Sequence, residues 1–363
     1  MEKTKEVSNT VQGEKGNRAE QLQFLRFICF LMICLLHSSK YCENWVPVGY
    51  GAANAVVFFF ILSGFTSGYS SYDGKITLSF KNEILFLYGK VKKFYPLYFL
   101  TTMYFVIYSG IPNYVTILEF KRISLLLVQL AKNLLLIQSW FSDYYFAFNG
   151  VGWFLSTIFF LYFFNLPLKK LFCLIKEKTK NIYIYMLIAI VSFVGVYCYC
   201  YFTRNTNIQY MHYAFPISRL FEYIAGMSLG YFIRSISKKI TYNNFLFYSI
   251  LELLMFTFWI YNIFLPMKDW KYNIIHWFIP NCLLICVFAL GKGLLSDIFK
   301  LKFFLFLGNI SFECFLLHKV IIKMYYDSGV EKTGIFGNIF SLLFIIIGTV
   351  LLASLIKNKK SNR

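Results

Sequence analysis

Apolar stretches of about 20 residues recur along this chain between short polar connections, and that repetition restricts the fold more than any other feature. A helix of that length reaches about 30 Å, the thickness of a bilayer's hydrocarbon core, and in lipid only a helix or a closed barrel satisfies its own backbone. The composition agrees. Of 363 residues, 58% are hydrophobic and 15% charged, with a mean hydropathy of +0.58, outside the soluble range. The chain reads as an all-α, polytopic integral membrane helical bundle, one domain over residues 22–356 between a polar tail at 1–21 and a basic tail at 357–363. The first apolar run has no small-residue cleavage site behind it and reads as a retained signal anchor. No soluble domain of any size is expected.

About ten spans are predicted, near 22–39, 48–69, 94–111, 150–168, 182–202, 213–234, 243–265, 272–290, 303–325 and 335–356. A formal charge of +19 would suggest nucleic acid in a soluble protein, but here Lys and Arg crowd into particular loops, as membrane topology requires, and no nucleic-acid partner is expected. With the N-terminus inside, Lys75, Lys81, Lys90, Lys92 and Lys93, the loop Lys169 to Lys180, Lys238 and Lys239, Lys292 to Lys302 and the tail from Lys357 all fall on the cytoplasmic side. The expectation is a multi-pass protein of the inner or plasma membrane with both termini cytoplasmic. An eleventh apolar run, "ISLLLVQLAKNLLLIQSW" at 123–140, would put the loop at 169–180 outside if it crossed. It is placed as an interfacial or re-entrant helix, because Lys132 at its centre would cost about 3 kcal/mol at mid-bilayer.

Nine cysteines lie mainly within spans, without C-x-x-C spacing or a His cluster, so neither a disulfide framework nor a metal site is expected. Chemistry is sought instead among ionisable groups inside spans, each expensive there. The first span, "QLQFLRFICFLMICLLHS", carries Arg26 and His37. Eleven residues turn a helix through three revolutions plus about 20°, so the two share one face about 16 Å apart. The flexible arm of coenzyme A spans about 15–20 Å between phosphates and thioester, as an extended chain reaches. An arginine could grip phosphate inside while an acyl group sits beside an imidazole whose ordinary pKa, about 6.5, suits a general base. Equally, Arg26 could snorkel to headgroups and His37 could be an interfacial residue.

The segment "LRFICFLMICLLH" resembles the Arg-x10-His motif that opens the acyltransferase 3 family of integral membrane O-acyltransferases. Further segments resemble that family in order: "VVFFFILSGF", "KVKKFYPLYFL", "GWFLSTIFFLYFF", "RLFEYIAGMSLGY" and "LGNISFECFLLH", over about residues 20–350. The resemblance implies transfer of an acyl group, usually acetyl, from acyl-CoA to a hydroxyl of an exported carbohydrate or other envelope molecule, with Arg26 and His37 as the main functional pair. Two departures stand out. The basic approach to the third span has Lys90, Lys92 and Lys93 where arginines are common, losing the bidentate fork. The Trp153 span lacks paired glutamates, and no esterase-like domain follows.

The reading that results has acyl-CoA, the donor substrate, gripped by Arg26 and the Lys90, Lys92 and Lys93 cluster, with Ser63 and Gly64 beside its arm and His37 as base for the acceptor hydroxyl. Ser63, Gly64 and Gly68 also form a small-xxx-small pattern that permits close helix packing. Asn54, Trp153 and His318 are candidates for stabilising an oxyanion, with interhelical hydrogen bonding an equal alternative for Asn54. Arg219 and Glu222, one turn apart, either contact substrate or neutralise each other, and Glu313 is read the same way. His212 and His276 read as interfacial. Direct transfer and a covalent acyl-histidine both fit. The partners expected are acyl-CoA, a carbohydrate acceptor and membrane lipids. The rival reading, a transporter or flippase of lipid-linked saccharide, predicts internal repeats and helices broken at matching places, which the sequence does not show. A polymerase or glycosyltransferase would carry large loops or a carboxylate cluster, also missing.

Overall fold

The computed structural model describes residues 19–39, 51–72, 79–111, 120–179, 181–207, 209–240, 244–265, 273–329 and 334–361. Lys75, Lys180, most of the 1–21 tail and the last two residues lie outside the described residues. Within them the chain is helical without strands. The helices are α1 Leu22–Ser39, α2 Gly51–Ser71, α3 Phe80–Phe105, α4 Phe120–Leu134, α5 Gly152–Phe163, α6 Asn165–Lys178 and α7 Tyr183–Phe202. They continue with α8 Pro216–Ser237, α9 Phe245–Phe264, α10 Asn273–Leu290, α11 Leu294–Phe299, α12 Lys302–Asp327 and α13 Gly334–Ser361.

At the centre α2 packs along α8, and glycine makes that possible. A Cβ on Gly64 would lie 1.9 Å from the carbonyl oxygen of Tyr223, and one on Gly226 would lie 1.9 Å from that of Ile61. Gly68 meets Met227 and Gly230 meets Phe65 in the same way. Two Gly-x3-Gly stripes therefore interlock backbone to backbone, at a distance no side chain would allow. Around this seam α1, α10 and α12 complete the core. By contrast α7, α9 and α13 are apolar yet expose Leu187, Ile190, Leu254, Phe258, Phe344 and Leu351 on their outward faces. Apolar residues left uncovered in this way suit a lipid-facing ring.

Six helices are long and apolar enough to cross a membrane by length and composition, or seven if α5 and α6, bent by 45° at Phe164, form one span. The predicted ten is not reproduced by that measure. The reasons are local: α8 holds Arg219, Glu222 and Arg234, α3 holds Lys81, Glu83, Lys90, Lys92 and Lys93, and the apolar run Ile274–Leu290 of α10 falls just short. The run at 123–140 becomes α4, whose 15 residues reach about 22 Å, less than the hydrocarbon core. Lys132 has a cation–π partner: its ammonium lies 3.8 Å from the centre of the Phe141 ring. Beyond α4 the backbone runs irregularly to Val151, with Gln138, Ser139 and Asn149 buried. Their hydrogen bonds to Tyr98, Ser156 and Thr101 satisfy a loop that has left the helical pattern.

Candidate functional site

The first-span arginine and histidine sit at the two ends of one arrangement. At the basic end of the bundle a cavity of about 560 Å³ opens between α1, α2, α3, α5, α6 and α12. Arg26, Lys90, Lys93 and Lys169 line it together with Ser63, Thr66, Ser67, Asn165 and Ser311. Its size falls within the range of about 300–1,000 Å³ typical of small-molecule sites. Arg26 donates to the side chain of Gln23 at 2.9 Å, one turn earlier on α1, which sets the guanidinium against the wall. Lys90 and Lys169 both reach over the Phe86 ring, at 5.3 and 5.7 Å from its centre. Glu83, near the start of α3, lies within electrostatic reach of Lys169; partial burial pushes its carboxyl up to about 6, with the lysine pulling it back.

Away from the lysines the wall turns aromatic. Phe59, Phe154 and Phe315 line the cavity and touch one another, with ring centres 5.4 Å apart for Phe154 and Phe315 and 6.0 Å for Phe59 and Phe154. One turn beyond Phe315 along α12 stands His318, fully buried, with Phe30 and Phe315 against its ring.

His318 meets His37. Their rings are nearly parallel, 8° apart, and His37 Nδ1 lies 2.8 Å from His318 Nε2. The proton arrangement follows from the remaining partner. His318 Nδ1 is 2.7 Å from the carbonyl oxygen of Phe315, which can only accept, so that nitrogen carries the proton. In a neutral ring His318 Nε2 is then the acceptor, and His37 Nδ1–H donates to it. His37 Nε2 is left with its lone pair. One imidazole is thus held in one tautomer by a second, which is in turn held by a helix carbonyl.

The family model described as an acyltransferase domain, that of the acyltransferase 3 family, matches residues 20–357, nearly the whole chain. The chain belongs to the acyltransferase 3 family. It is a membrane acyltransferase. No curated protein and no solved structure matches it.

Within this acyltransferase the predicted residues divide into groups. His37 and His318 form the pair, while Arg26, Lys90, Lys93 and Ser63 share the cavity. Lys92 does not line it: its side chain is exposed and its ammonium lies 5.7 Å from the centre of the Tyr88 ring. Gly64 is taken up by the seam with Tyr223. Asn54 is bonded from Asn281 Nδ2 at 2.7 Å, and Asn281 also accepts from Trp259, an interhelical link with no contact to either histidine.

Arg219 donates to Glu222 at 2.8 Å, and its Nε and Nη2 donate to the carbonyl of Tyr213 at 3.0 and 2.8 Å. Nε and Nη2 thus hold the π-type turn Tyr210–Ala214 that leads into α8, while Nη1 is taken by Glu222 on α8 itself. Trp153 packs against Tyr213 with the rings tilted by 44° and their centres 4.7 Å apart. Glu313 pairs with Lys357 at 3.3 Å. His212 is buried beside Thr203, and His276 packs edge-on against Trp277. Sequence reasoning missed Lys169 and Asn165. The lysine was one of many in a basic loop, and nothing in the spacing distinguishes a cavity cation from a topology signal.

Proposed function

We propose that this protein is a membrane O-acyltransferase that moves an acyl group, acetyl first among them, from acyl-CoA to a hydroxyl of a cell-surface or exported glycan. The observation that carries the reading is the His37–His318 pair standing beyond the aromatic end of a cavity whose mouth holds Arg26, Lys90, Lys93 and Lys169. Four basic residues and several hydroxyls suit phosphates and the amide-bearing arm of the donor, and the phenylalanine end suits an acyl thioester. By the positive-inside rule the basic end faces the cytoplasm, where acyl-CoA is found.

In this scheme His37 Nε2 accepts the proton of the acceptor hydroxyl as its oxygen attacks the thioester carbonyl. The imidazolium that forms keeps its Nδ1–H on His318, which stabilises the charge. The tetrahedral intermediate collapses with cleavage of the C–S bond, and His37 returns the proton to the departing sulfur. The acceptor oxygen ends bonded to the acyl carbon and the thiol leaves, so the base is regenerated. Trp153 stands one ring contact from Tyr213 and Phe60 and remains a candidate wall for the acceptor.

The test is transfer of radiolabel from acetyl-CoA to an envelope-glycan extract by the protein in liposomes, for wild type, His37→Ala and Arg26→Ala. Transfer by wild type that disappears in folded His37→Ala supports the reading. Transfer that survives it removes the base, and a wild type that binds no coenzyme A favours transport of a lipid-linked saccharide instead.

A further inference from the structure

The residue after His318 is a second basic group, Lys319. Arg219, Lys300, Lys323 and Lys357 each pair with a carboxylate. Lys319 has no carboxylate or other hydrogen-bond acceptor among the described residues. Its side chain is only partly exposed. A Cβ on Gly150 would lie 2.6 Å from its Nζ, so the ammonium rests on the backbone of the loop before α5, in space that a larger residue would fill. His37 and His318 are both within electrostatic reach of it. An ammonium in a membrane bundle that lacks an internal counter-charge is costly and marks a functional site by default.

The surroundings say what kind of ligand would supply the counter-charge. Two residues before Gly150, Phe148 has φ +58, a left-handed conformation uncommon outside glycine and concentrated at binding and catalytic loops. The same loop carries Tyr145 and Phe146, ring centres 4.1 Å apart, and Phe146 continues to Tyr213 at 6.5 Å and from there to Trp153 at 4.7 Å. Phe146 is 42% exposed, so this aromatic wall has an open face. Ring faces suit the C–H surfaces of a sugar, and a neighbouring ammonium suits a negative charge attached to it.

We propose that Lys319 and the Tyr145–Gly150 loop form an acceptor subsite for a sugar bearing an anionic group, a carboxylate or a phosphate, close to the hydroxyl that is acylated. This rests on the acyl-transfer reading above and adds to it the charge of the acceptor. The lysine acts on specificity; the chemistry stays with the histidine pair.

The experiment titrates the full-length protein in detergent at fixed ionic strength with glucuronate, glucose 6-phosphate and glucose, following tryptophan fluorescence, and measures coenzyme A binding on the same preparations. Wild type should bind at least one of the two anions about tenfold more tightly than glucose. Which anion is preferred separates carboxylate from phosphate. Lys319→Gln should lose that preference while binding coenzyme A as wild type does, and Lys319→Arg should keep it. Equal binding of all three sugars by wild type, or a preference that persists in Lys319→Gln, overturns the proposal. Failure of wild type to bind coenzyme A would count against acyl transfer without touching the sugar result.

Discussion

Replacing His318 with leucine separates the role of the second imidazole from that of the first. The site is fully buried between Phe30 and Phe315, so an apolar side chain of similar size can occupy it. What is lost is the acceptor 2.8 Å from His37 Nδ1. That hydrogen bond meets a charged donor once His37 has taken the acceptor's proton, and bonds to charged groups contribute about 1.5–3 kcal/mol. At about 1.36 kcal/mol per tenfold, kcat/KM should fall about 10- to 150-fold. Removing the base itself costs more, about 100- to 10,000-fold for general base catalysis. The two residues act as one unit, so His37→Ala with His318→Leu should be no slower than His37→Ala alone. The assay is initial-rate label transfer over a range of acetyl-CoA concentrations, with thermal melting to establish that each variant is folded. A folded His318→Leu enzyme with wild-type kcat/KM, or a double variant whose losses multiply, would refute the coupled-pair reasoning.

Three further expectations concern the frame and the cavity. Gly64→Ala and Gly226→Ala should each lower the melting temperature in detergent by the equivalent of about 1–3 kcal/mol or more, because the new methyl meets a backbone carbonyl, whereas Gly89→Ala, inside α3 with nothing within 4 Å, should not lower it and should raise it by up to the equivalent of about 1 kcal/mol. Lys93→Gln should raise the KM for acetyl-CoA and weaken its dependence on salt, while Lys92→Gln, outside the cavity wall, should change neither. Glu83 is ionised above about pH 6 and neutral below it, so its charge opposes donor binding only on the alkaline side. Glu83→Gln should therefore bind coenzyme A more tightly than wild type at pH 7.5, and isothermal titration should show the two converging by pH 5.

The sequence discloses the helical frame and half of the site. Arg26 and His37 are legible because a single helix relates them by arithmetic, and helix periodicity is the most dependable signal in an apolar chain. The partner of His37 is not, because His318 lies 281 residues away and only the packing of α1 against α12 brings the rings together. Gly64 illustrates a subtler limit: a small residue in a span serves a ligand or a neighbouring helix equally well, and the choice rests on Tyr223, far along the chain. Asn54 and Arg219 show the same dependence, the side-chain oxygen of Asn54 being met by Asn281 and the guanidinium of Arg219 by the carbonyl of Tyr213. The number of spans is the least legible feature of the fold, since charged and bent helices such as α3, α5 and α8 blur the boundary between crossing and docking.

The glycine seam also bears on how such a molecule can move. Machines that carry cargo across a membrane rock one half against the other, along an interface whose side chains can slide and repack. Between α2 and α8 the backbones are keyed into one another at Gly64, Gly68, Gly226 and Gly230. A slip of one helical turn, about 5.4 Å, would bring Phe60 of α2 or Tyr72 at its end, or Glu222 or Arg234 of α8, each four residues from a glycine, against a main chain that now meets a glycine notch. The seam is a weld, and a weld at the centre of the bundle makes a fixed partition. Two substrates approaching from opposite faces would then meet by reaching into a stationary wall, with whatever motion they need confined to its rim.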